Sequence, residues 1–342
     1  MLSQEHMTKK ENNRMRVWIM IIILLIVSVT VAFCFKVSRS ISASAGYVVD
    51  QSNQAMSVTP ANKKVNILVL GVDERQNDIG RSNVTCVVTV DPDTKSASLL
   101  WVPRDSRVKI PDNGWDKIGH AYAYGGPKLS EQTVSDLLGI PIDYYIEINM
   151  DGFKKVIDAL GGVDINVDKR MYYYDPYDAG EVDNNGLIDL KPGMQHMDGN
   201  TALEYVRFRH DEMGDIGRIE RQQKFVKALL SDVATPSVIT KIPNVLKEAN
   251  ATFKTDIPLS EMLKLTTQMN DAYKQGLKTD MVSGTPVYID DISYWLPDIS
   301  AMRKQVAQLQ GLTMDDKYSE DTKNLANEYA TSIAKNKIVV AP

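Results

Sequence analysis

Residues 65–73, Val-Asn-Ile-Leu-Val-Leu-Gly-Val-Asp, are almost unbroken in apolar side chains and end in a glycine and an acid. A short apolar run without alternation marks a strand buried on both faces. Such a strand needs helices above and below its sheet, which restricts the chain to a layered α/β architecture. It also puts Asp73 at a strand's carboxyl end, where open α/β sheets bind ligands. Residues 84–90 and 96–102 read as further strands, closed by Asp91-Pro92-Asp93 and Pro103-Arg104-Asp105. Residues 118–124 and 130–138 read as helical pieces around Gly125-Gly126-Pro127. Residues 143–148 and 163–167 read as strands, and 151–160 as a helix stopped by Gly161-Gly162. Residues 168–199 form a polar, irregular excursion with a hairpin. Helices are expected at 237–248, 259–274 and within 294–309, with a last strand at 286–289. The expected fold is α/β: a single α/β/α sandwich with a mixed central sheet over residues 64–312, then a polar, weakly packed tail at 313–342.

The amino-terminal part constrains topology. Residues 17–35 form an apolar run of about 19 residues, long enough to cross a bilayer. It follows a polar segment, 1–16, holding Lys9, Lys10, Arg14 and Arg16; Lys36 and Arg39 come after it. The upstream positive excess favours a cytoplasmic amino terminus. The sandwich is therefore expected to be preceded by one transmembrane helix, a signal anchor, and a stalk at 36–63 rich in Ser, Ala, Asn and Gln. The folded part would lie outside a cell membrane crossed once. The competing reading is a signal peptide cleaved near Ala43-Ser44-Ala45, but the apolar run exceeds the usual length and that triplet lies well past its end. The net charge of −5 over 342 residues argues against a nucleic-acid partner held by a bulk positive field. Two cysteines, Cys34 and Cys86, make no disulfide framework, and the four histidines show no metal spacing with them. No G-x-S-x-G elbow, P-loop or H-E-x-x-H occurs.

Positive charge is instead concentrated locally. Val206-Arg207-Phe208-Arg209 reads as a strand, with both guanidinium groups on one face. After the break Met213-Gly214-Asp215-Ile216-Gly217, Arg218 and Arg221 lie three apart on a helix running to about Val233, whose stripe is Ile219, Val226, Leu229, Leu230 and Val233. Arginines in the first turns of a helix oppose its dipole, and an anion between the pairs would remove the conflict. The competing reading pairs them with Asp211, Glu212, Asp215 and Glu220. Upstream, strand ends contribute Asp73 and Arg75, Arg81, then Arg104 and Asp105, and Lys117 joins them. An anion site of this size, with an acid at its floor, fits a pyrophosphate. Asp73 could hold a divalent ion against phosphate oxygens or accept a proton from an attacking hydroxyl; its structural alternative is a turn-forming acid. Arg104 and Asp105 could equally form a local salt bridge. His120 is expected in a core or capping role, and Trp101, Trp115, Tyr122 and Tyr124 in packing, although Trp115 in a loop could stack on a sugar.

Several segments, in order, resemble the LytR–CpsA–Psr family of bacterial envelopes: the run from Asn66 through Asp73-Glu74-Arg75, Gly80-Arg81-Ser82, Val102-Pro103-Arg104-Asp105, Lys117-Ile118-Gly119-His120-Ala121-Tyr122, Tyr124-Gly125-Gly126-Pro127, Asp158-Ala159-Leu160-Gly161-Gly162-Val163-Asp164, Tyr205-Val206-Arg207-Phe208-Arg209-His210 and Gly217-Arg218-Ile219-Glu220-Arg221-Gln222-Gln223. The resemblance implies an extracytoplasmic phosphotransferase. Its donor would be a glycopolymer, such as a teichoic acid or capsule-like chain, linked to polyprenyl pyrophosphate, and its acceptor a peptidoglycan hydroxyl. Arg81, Arg104, Lys117, Arg207, Arg209, Arg218, Arg221 and Gln222 would surround the pyrophosphate. Mg2+ would sit by Asp73, and an apolar pocket would take the lipid tail. Val134, Leu137, Leu138, Val156, Ile157 and Leu160 are candidate pocket walls, though plain core is the better reading. The family pattern carries Asp after Gly-Arg-Ser, where this chain has Asn83, so a metal held by Asp73 and Asn83 would have one carboxylate fewer. The alternatives are a hydrolase of the same lipid and a non-catalytic polyprenyl-phosphate-binding regulator.

Overall fold

The computed structural model describes residues 64–73, 80–174, 186–209, 214–233 and 253–341. The apolar run at 17–35, the expected helix at 237–248, Arg75 and the acids Asp211 and Glu212 lie outside them. Among the described residues no helix is long and apolar enough to cross a membrane.

The central sheet has six strands. In chain order the first are β1 (Val65–Val72), β2 (Ser82–Asp91) and β3 (Ser96–Val102), then β4 (Arg107–Ile110) and β5 (Gly114–Lys117), which form a separate hairpin. Helix α1 (Ile118–Leu138) follows, then β6 (Tyr144–Asn149) and α2 (Met150–Leu160). β7 (Val163–Val167), β8 (Met171–Tyr174), β9 (Leu187–Leu190) and β10 (Gly193–Met197) come next, then α3 (Gly199–Arg207) and α4 (Gly214–Val233). β11 (Phe253–Thr255), α5 (Leu259–Gln275), β12 (Lys278–Met281), β13 (Gly284–Ile289), β14 (Ile292–Pro297), α6 (Ile299–Gln310), α7 (Asp316–Ile333) and β15 (Ile338–Val340) complete the described chain. The sheet order is β11-β6-β1-β2-β3-β12, with β1 parallel to β6, β3 parallel to β12 and antiparallel pairs elsewhere, so the sheet is mixed as expected.

β1 has helices over both faces, as its composition requires. Leu68, Leu70 and Val72, with Val87, Leu100 and Val102, face a core shared with Val134 and Leu137 of α1 and Met302 and Val306 of α6. On the other face Ile67 and Val90 meet Leu265 of α5, and Cys86, Leu99 and Trp101 meet Ile219 of α4. A third core joins Ile157, Val163, Ile165, Met197, Tyr205, Phe208 and Phe225 around β7, β10, α3 and α4. Val134, Leu137, Leu138 and Ile157 are thus packing residues.

Several segments differ from the sequence-based expectation. The strand at 286–289 is not the last, since β14 and β15 follow it, and the β4–β5 hairpin was not foreseen. Residues 206–209 are not a strand: α3 runs to Arg207, and the Phe208 amide donates to the Glu204 carbonyl. The cause lies upstream, where the Asp198 carboxylate accepts from the Thr201 amide at 2.8 Å and starts a helix. Alternation over only four residues was too short to outweigh that cap. Helix α4 begins at Gly214, so Arg218 and Arg221 sit beyond its first turn and the dipole conflict inferred for them is relaxed. The tail keeps most of its side chains exposed, but it is docked through one stripe of α7. Tyr318, Thr322, Leu325 and Tyr329 recur at spacings of three and four in α7. Tyr329 is buried in the main core, its hydroxyl donates to the Arg107 carbonyl at 2.7 Å, and Trp115 meets its ring edge-on at 4.6 Å. Trp115 is therefore a packing residue of β5, and β15 adds a strand to β13.

Candidate active site

Sheet topology brings the expected strand ends together. β1 ends at Val72, which pairs with Ser82 at the start of antiparallel β2, and Thr85 pairs with Val102 at the end of β3. Asp73, Arg81, Asn83, Arg104 and Asp105 consequently share one edge of the sheet. The Asp73 amide donates to the Arg81 carbonyl at 3.1 Å, which closes the intervening loop.

The side chains form a connected series. Asn83 Nδ2 donates to Asp73 Oδ2 at 3.2 Å, and Arg104 Nη1 donates to Asn83 Oδ1 at 2.7 Å. Arg104 Nε lies 3.6 Å from Asp105 Oδ2, and Lys117 Nζ lies 2.9 Å from Asp105 Oδ1. The Arg104–Asp105 salt bridge that a bland reading foresaw is present, but Lys117 shares the carboxylate. Backbone contacts hold this row in place. The Trp295 amide of β14 donates to the Asp105 carbonyl at 2.9 Å, and the Gly119 amide at the start of α1 donates to the Arg104 carbonyl at 3.1 Å. A Cβ on Gly119 would stand 2.6 Å from the Ser82 carbonyl oxygen, so only glycine lets α1 approach the strand ends this closely.

A second group lies at the end of α3 and on α4. Arg218, Arg221 and Gln222 are buried, Arg207 is half-buried and Arg209 is exposed. Arg221 donates to the Phe208 carbonyl and stacks at 5.2 Å on the Phe208 ring, while Gln222 Nε2 donates to the Val206 carbonyl at 3.4 Å. These contacts fasten the end of α3 to α4 and occupy part of each donor set; a guanidinium carries five N–H groups. Ile219, next to Arg218, packs on Cys86, Leu99 and Trp101, which sets the start of α4 over β2 and β3.

Beside the first group lies a cluster that sequence reasoning did not assemble. His120 Nδ1 is 2.8 Å from Asp116 Oδ2, and the Tyr124 hydroxyl donates to that same oxygen at 2.6 Å. The Lys117 amide donates to Asp116 Oδ1 at 2.7 Å. Burial pushes the Asp116 carboxyl up, but the bonds from Tyr124, His120 and the Lys117 amide outweigh it and hold the group below the ordinary carboxylate range. The bond to Asp116 raises the Tyr124 phenol, and the charge of Arg81 opposes that rise. Tyr294 of β14 lies under Lys117, whose Nζ is 5.5 Å from its ring centroid. His120 and Tyr124, four residues apart, were a legible pair for one face of α1; Asp116, which precedes the helix in β5, and Tyr294 were not.

Mg2+ commonly takes one or two carboxylates and completes its shell with substrate phosphates and water. Among the described residues no three His, Cys, Asp or Glu side chains gather as a metal site. Asp73 suits a site completed by substrate phosphate. Asn83 turns its amide nitrogen to Asp73 and its oxygen to Arg104, so in this arrangement it bridges acid and base.

The model of the LytR_cpsA_psr family matches residues 31–311. The chain belongs to that family. Among relatives, the polyisoprenyl-teichoic acid–peptidoglycan teichoic acid transferase TagU of Bacillus subtilis is 33% identical over 275 residues, 79% of this chain and 86% of that protein. The TagU of Oceanobacillus iheyensis is 32% identical, covering 77% of this chain and 80% of its own. The crystal structure of B. subtilis TagV superposes with a TM-score of 0.63 at 30% identity, covering 74% of this chain and 99% of that one. TagT bound to LI-WTA superposes with a TM-score of 0.59 at 28% identity, covering 72% of this chain and 90% of that one. In LytR_cpsA_psr terms, the matched span covers both arginine groups and the Asp116–His120–Tyr124 cluster, and it ends before α7 and β15.

Proposed function

We propose that this LytR_cpsA_psr protein is an extracytoplasmic phosphotransferase that moves a teichoic acid or similar glycopolymer from a polyprenyl-pyrophosphate carrier to peptidoglycan. The observation that carries the reading is the connected series Asp73, Asn83, Arg104, Asp105 and Lys117 at the strand ends. It offers two fixed cations, Arg104 and Lys117, beside two acids, Asp73 and Asp105, in a chain whose relatives are named for this transfer. The acceptor hydroxyl oxygen attacks the phosphorus next to the glycopolymer. A new phosphodiester forms, the bond to the bridging oxygen breaks, and polyprenyl phosphate leaves. Arg81, Arg104 and Lys117 on one side and Arg207, Arg209, Arg218, Arg221 and Gln222 on the other hold the pyrophosphate and offset the charge that grows on its oxygens. Asp105 orients Arg104 and Lys117. Arg75 belongs to the same site by its place after β1. Asp73 would hold Mg2+, which when bound supplies charge neutralisation on the phosphate oxygens. The run at 17–35 anchors the protein in the cell membrane, with the site outside.

The test combines the full-length protein in detergent with a polyprenyl-pyrophosphate-linked glycan and peptidoglycan oligomers. A product joined through a phosphodiester is expected. Release of glycan phosphate without joining would make the protein a hydrolase. Donor binding without turnover would make it a carrier, and either result overturns the transfer reading.

A further inference from the structure

Resting on the transfer reading, we infer that His120 Nε2 accepts the proton of the attacking peptidoglycan hydroxyl, with Asp116 as its positioning residue. The core and capping roles expected for His120 do not describe it. Its side chain is 23% exposed, so it is not sealed in the core. Helix α1 is capped at Lys117 with no side-chain cap bond, and the His120 ring is bonded to the Asp116 carboxylate instead. A carboxylate on Nδ1 fixes that nitrogen as the proton-bearing one and leaves Nε2 as the acceptor.

Position supports the role. Two neighbours in α1, Gly119 before it and Tyr124 after it, bear on its place. Gly119 lies against the Ser82 carbonyl and donates to the Arg104 carbonyl. Tyr124, one turn on, feels the charge of Arg81. The Asp116–His120 pair therefore sits at the start of α1, next to Lys117, whose ammonium is paired with Asp105 of the strand-end row. Tyr124 is half exposed, and the helix kinks just beyond it at Gly125 and Gly126.

The other acids fit the task less well. Asp105 is already engaged by two cations, Lys117 and Arg104. Asp73 accepts from Asn83, which in turn holds Arg104. Imidazole is the side chain whose ordinary range matches neutral-pH proton transfer. The charged and titratable groups around the pair are Lys117 and Tyr124 of its own helix and cap, Arg81 ahead of β2, Arg104 and Asp105 after β3, and Tyr294 of β14.

In the step, the acceptor O–H bond breaks as its oxygen bonds to phosphorus, and the proton moves to Nε2. The bond from that phosphorus to the bridging oxygen breaks, and its electron pair leaves on polyprenyl phosphate. The imidazolium, stabilised by Asp116, then returns its proton to water, so no redox partner is needed.

The experiment follows transfer by the full-length protein across about pH 5 to 9, measuring kcat and donor KM for wild type, H120N, H120Q and D116N. Both His120 variants should lower kcat by about 10²- to 10⁴-fold, leave donor KM unchanged and lose the acidic limb of the kcat profile. D116N should lower kcat by less than the His120 variants and leave donor KM unchanged, because the ring then loses the carboxylate that fixes its tautomer. Wild-type rates in both His120 variants would overturn the assignment, as would a lowered kcat with the acidic limb intact. Wild-type protein that makes no transfer product at any pH would overturn the transfer reading itself, and this assignment with it.

Discussion

Replacing Asn83 with Asp places a second carboxylate at the strand ends and measures how that edge handles cations. The amide nitrogen stands 3.2 Å from Asp73 and the amide oxygen 2.7 Å from Arg104. An aspartate there loses a charge-assisted hydrogen bond to Asp73, worth about 1.5–3 kcal/mol. It also faces that carboxylate with a repulsion of about 5 kcal/mol at an effective dielectric of about 20. Attraction to Arg104, about 6 kcal/mol on the same scale, offsets the repulsion. Without divalent cation the variant should fold, less stable than the parent by about 1–3 kcal/mol. A divalent ion between the carboxylates removes the repulsion. A little over a quarter of that relief, about 1.4 kcal/mol, already tightens binding tenfold. We therefore expect N83D to bind Mg2+ at least ~10-fold more tightly than the parent by calorimetry. Its melting temperature should rise with MgCl2 more steeply, as mass action requires. D73N should bind Mg2+ more weakly than the parent. A folded N83D with the parent's Mg2+ affinity and the same dependence of melting on MgCl2 would refute the placement of a cation at Asp73.

Three further perturbations test other parts of the argument. R104A and R218A should each weaken binding of a fluorescent polyprenyl-pyrophosphate analogue by about tenfold or more, the loss of one charge-assisted contact; unchanged affinity in both would sink the cradle. G119A sets a methyl 2.6 Å from the Ser82 carbonyl oxygen, so α1 must shift; urea unfolding should show a loss of about 1–3 kcal/mol, and parental stability would show that the close approach is not required. The Asp198 carboxyl is held below its ordinary range by the Thr201 amide, then by the Thr201 hydroxyl. With the folded value depressed, its stabilisation is present above the unfolded value near pH ~4 and is lost as pH falls through the folded one. The stability gap between wild type and D198A, about 1 kcal/mol, should be constant above pH ~5 and shrink towards pH ~3; a gap that persists at acid pH would show that the cap bond is not its source.

What could be read from the chain follows from the range of the forces involved. β1 was legible because burial on two faces leaves a run with no polar alternation, and the cores on each face of β1 bear that out. The kinked α1 was legible because glycine punctuates locally. α3 was not, because Val206-Arg207-Phe208-Arg209 alternates and the deciding cap, Asp198, lies eight positions before Val206. Even so, the alternation keeps a physical meaning: Phe208 is buried and Arg209 is exposed, since the chain leaves the helix extended at Phe208. α7 was hidden by its polar composition, which conceals a stripe one residue wide.

The two residue groups proposed to hold the pyrophosphate differ in kind, and this bears on how variants in them should be read. Asp73, Arg104 and Asp105 sit at strand ends fixed by sheet register, so losing their side chains leaves the backbone held by the ladder and by the Gly119 and Trp295 amides. Arg221 and Gln222 have no ladder behind them. They themselves hold the Phe208 and Val206 carbonyls, and Arg221 also covers the Phe208 ring. Removing either leaves a backbone acceptor without its partner and loosens the α3–α4 turn that carries Arg207 and Arg209. Loss of donor binding in an Arg221 variant therefore mixes a missing contact with a displaced wall. The same loss in an Arg104 variant takes a side-chain partner from Asn83 and Asp105 but leaves the backbone in place, which is why the strand-end arginine is the sharper probe of this site.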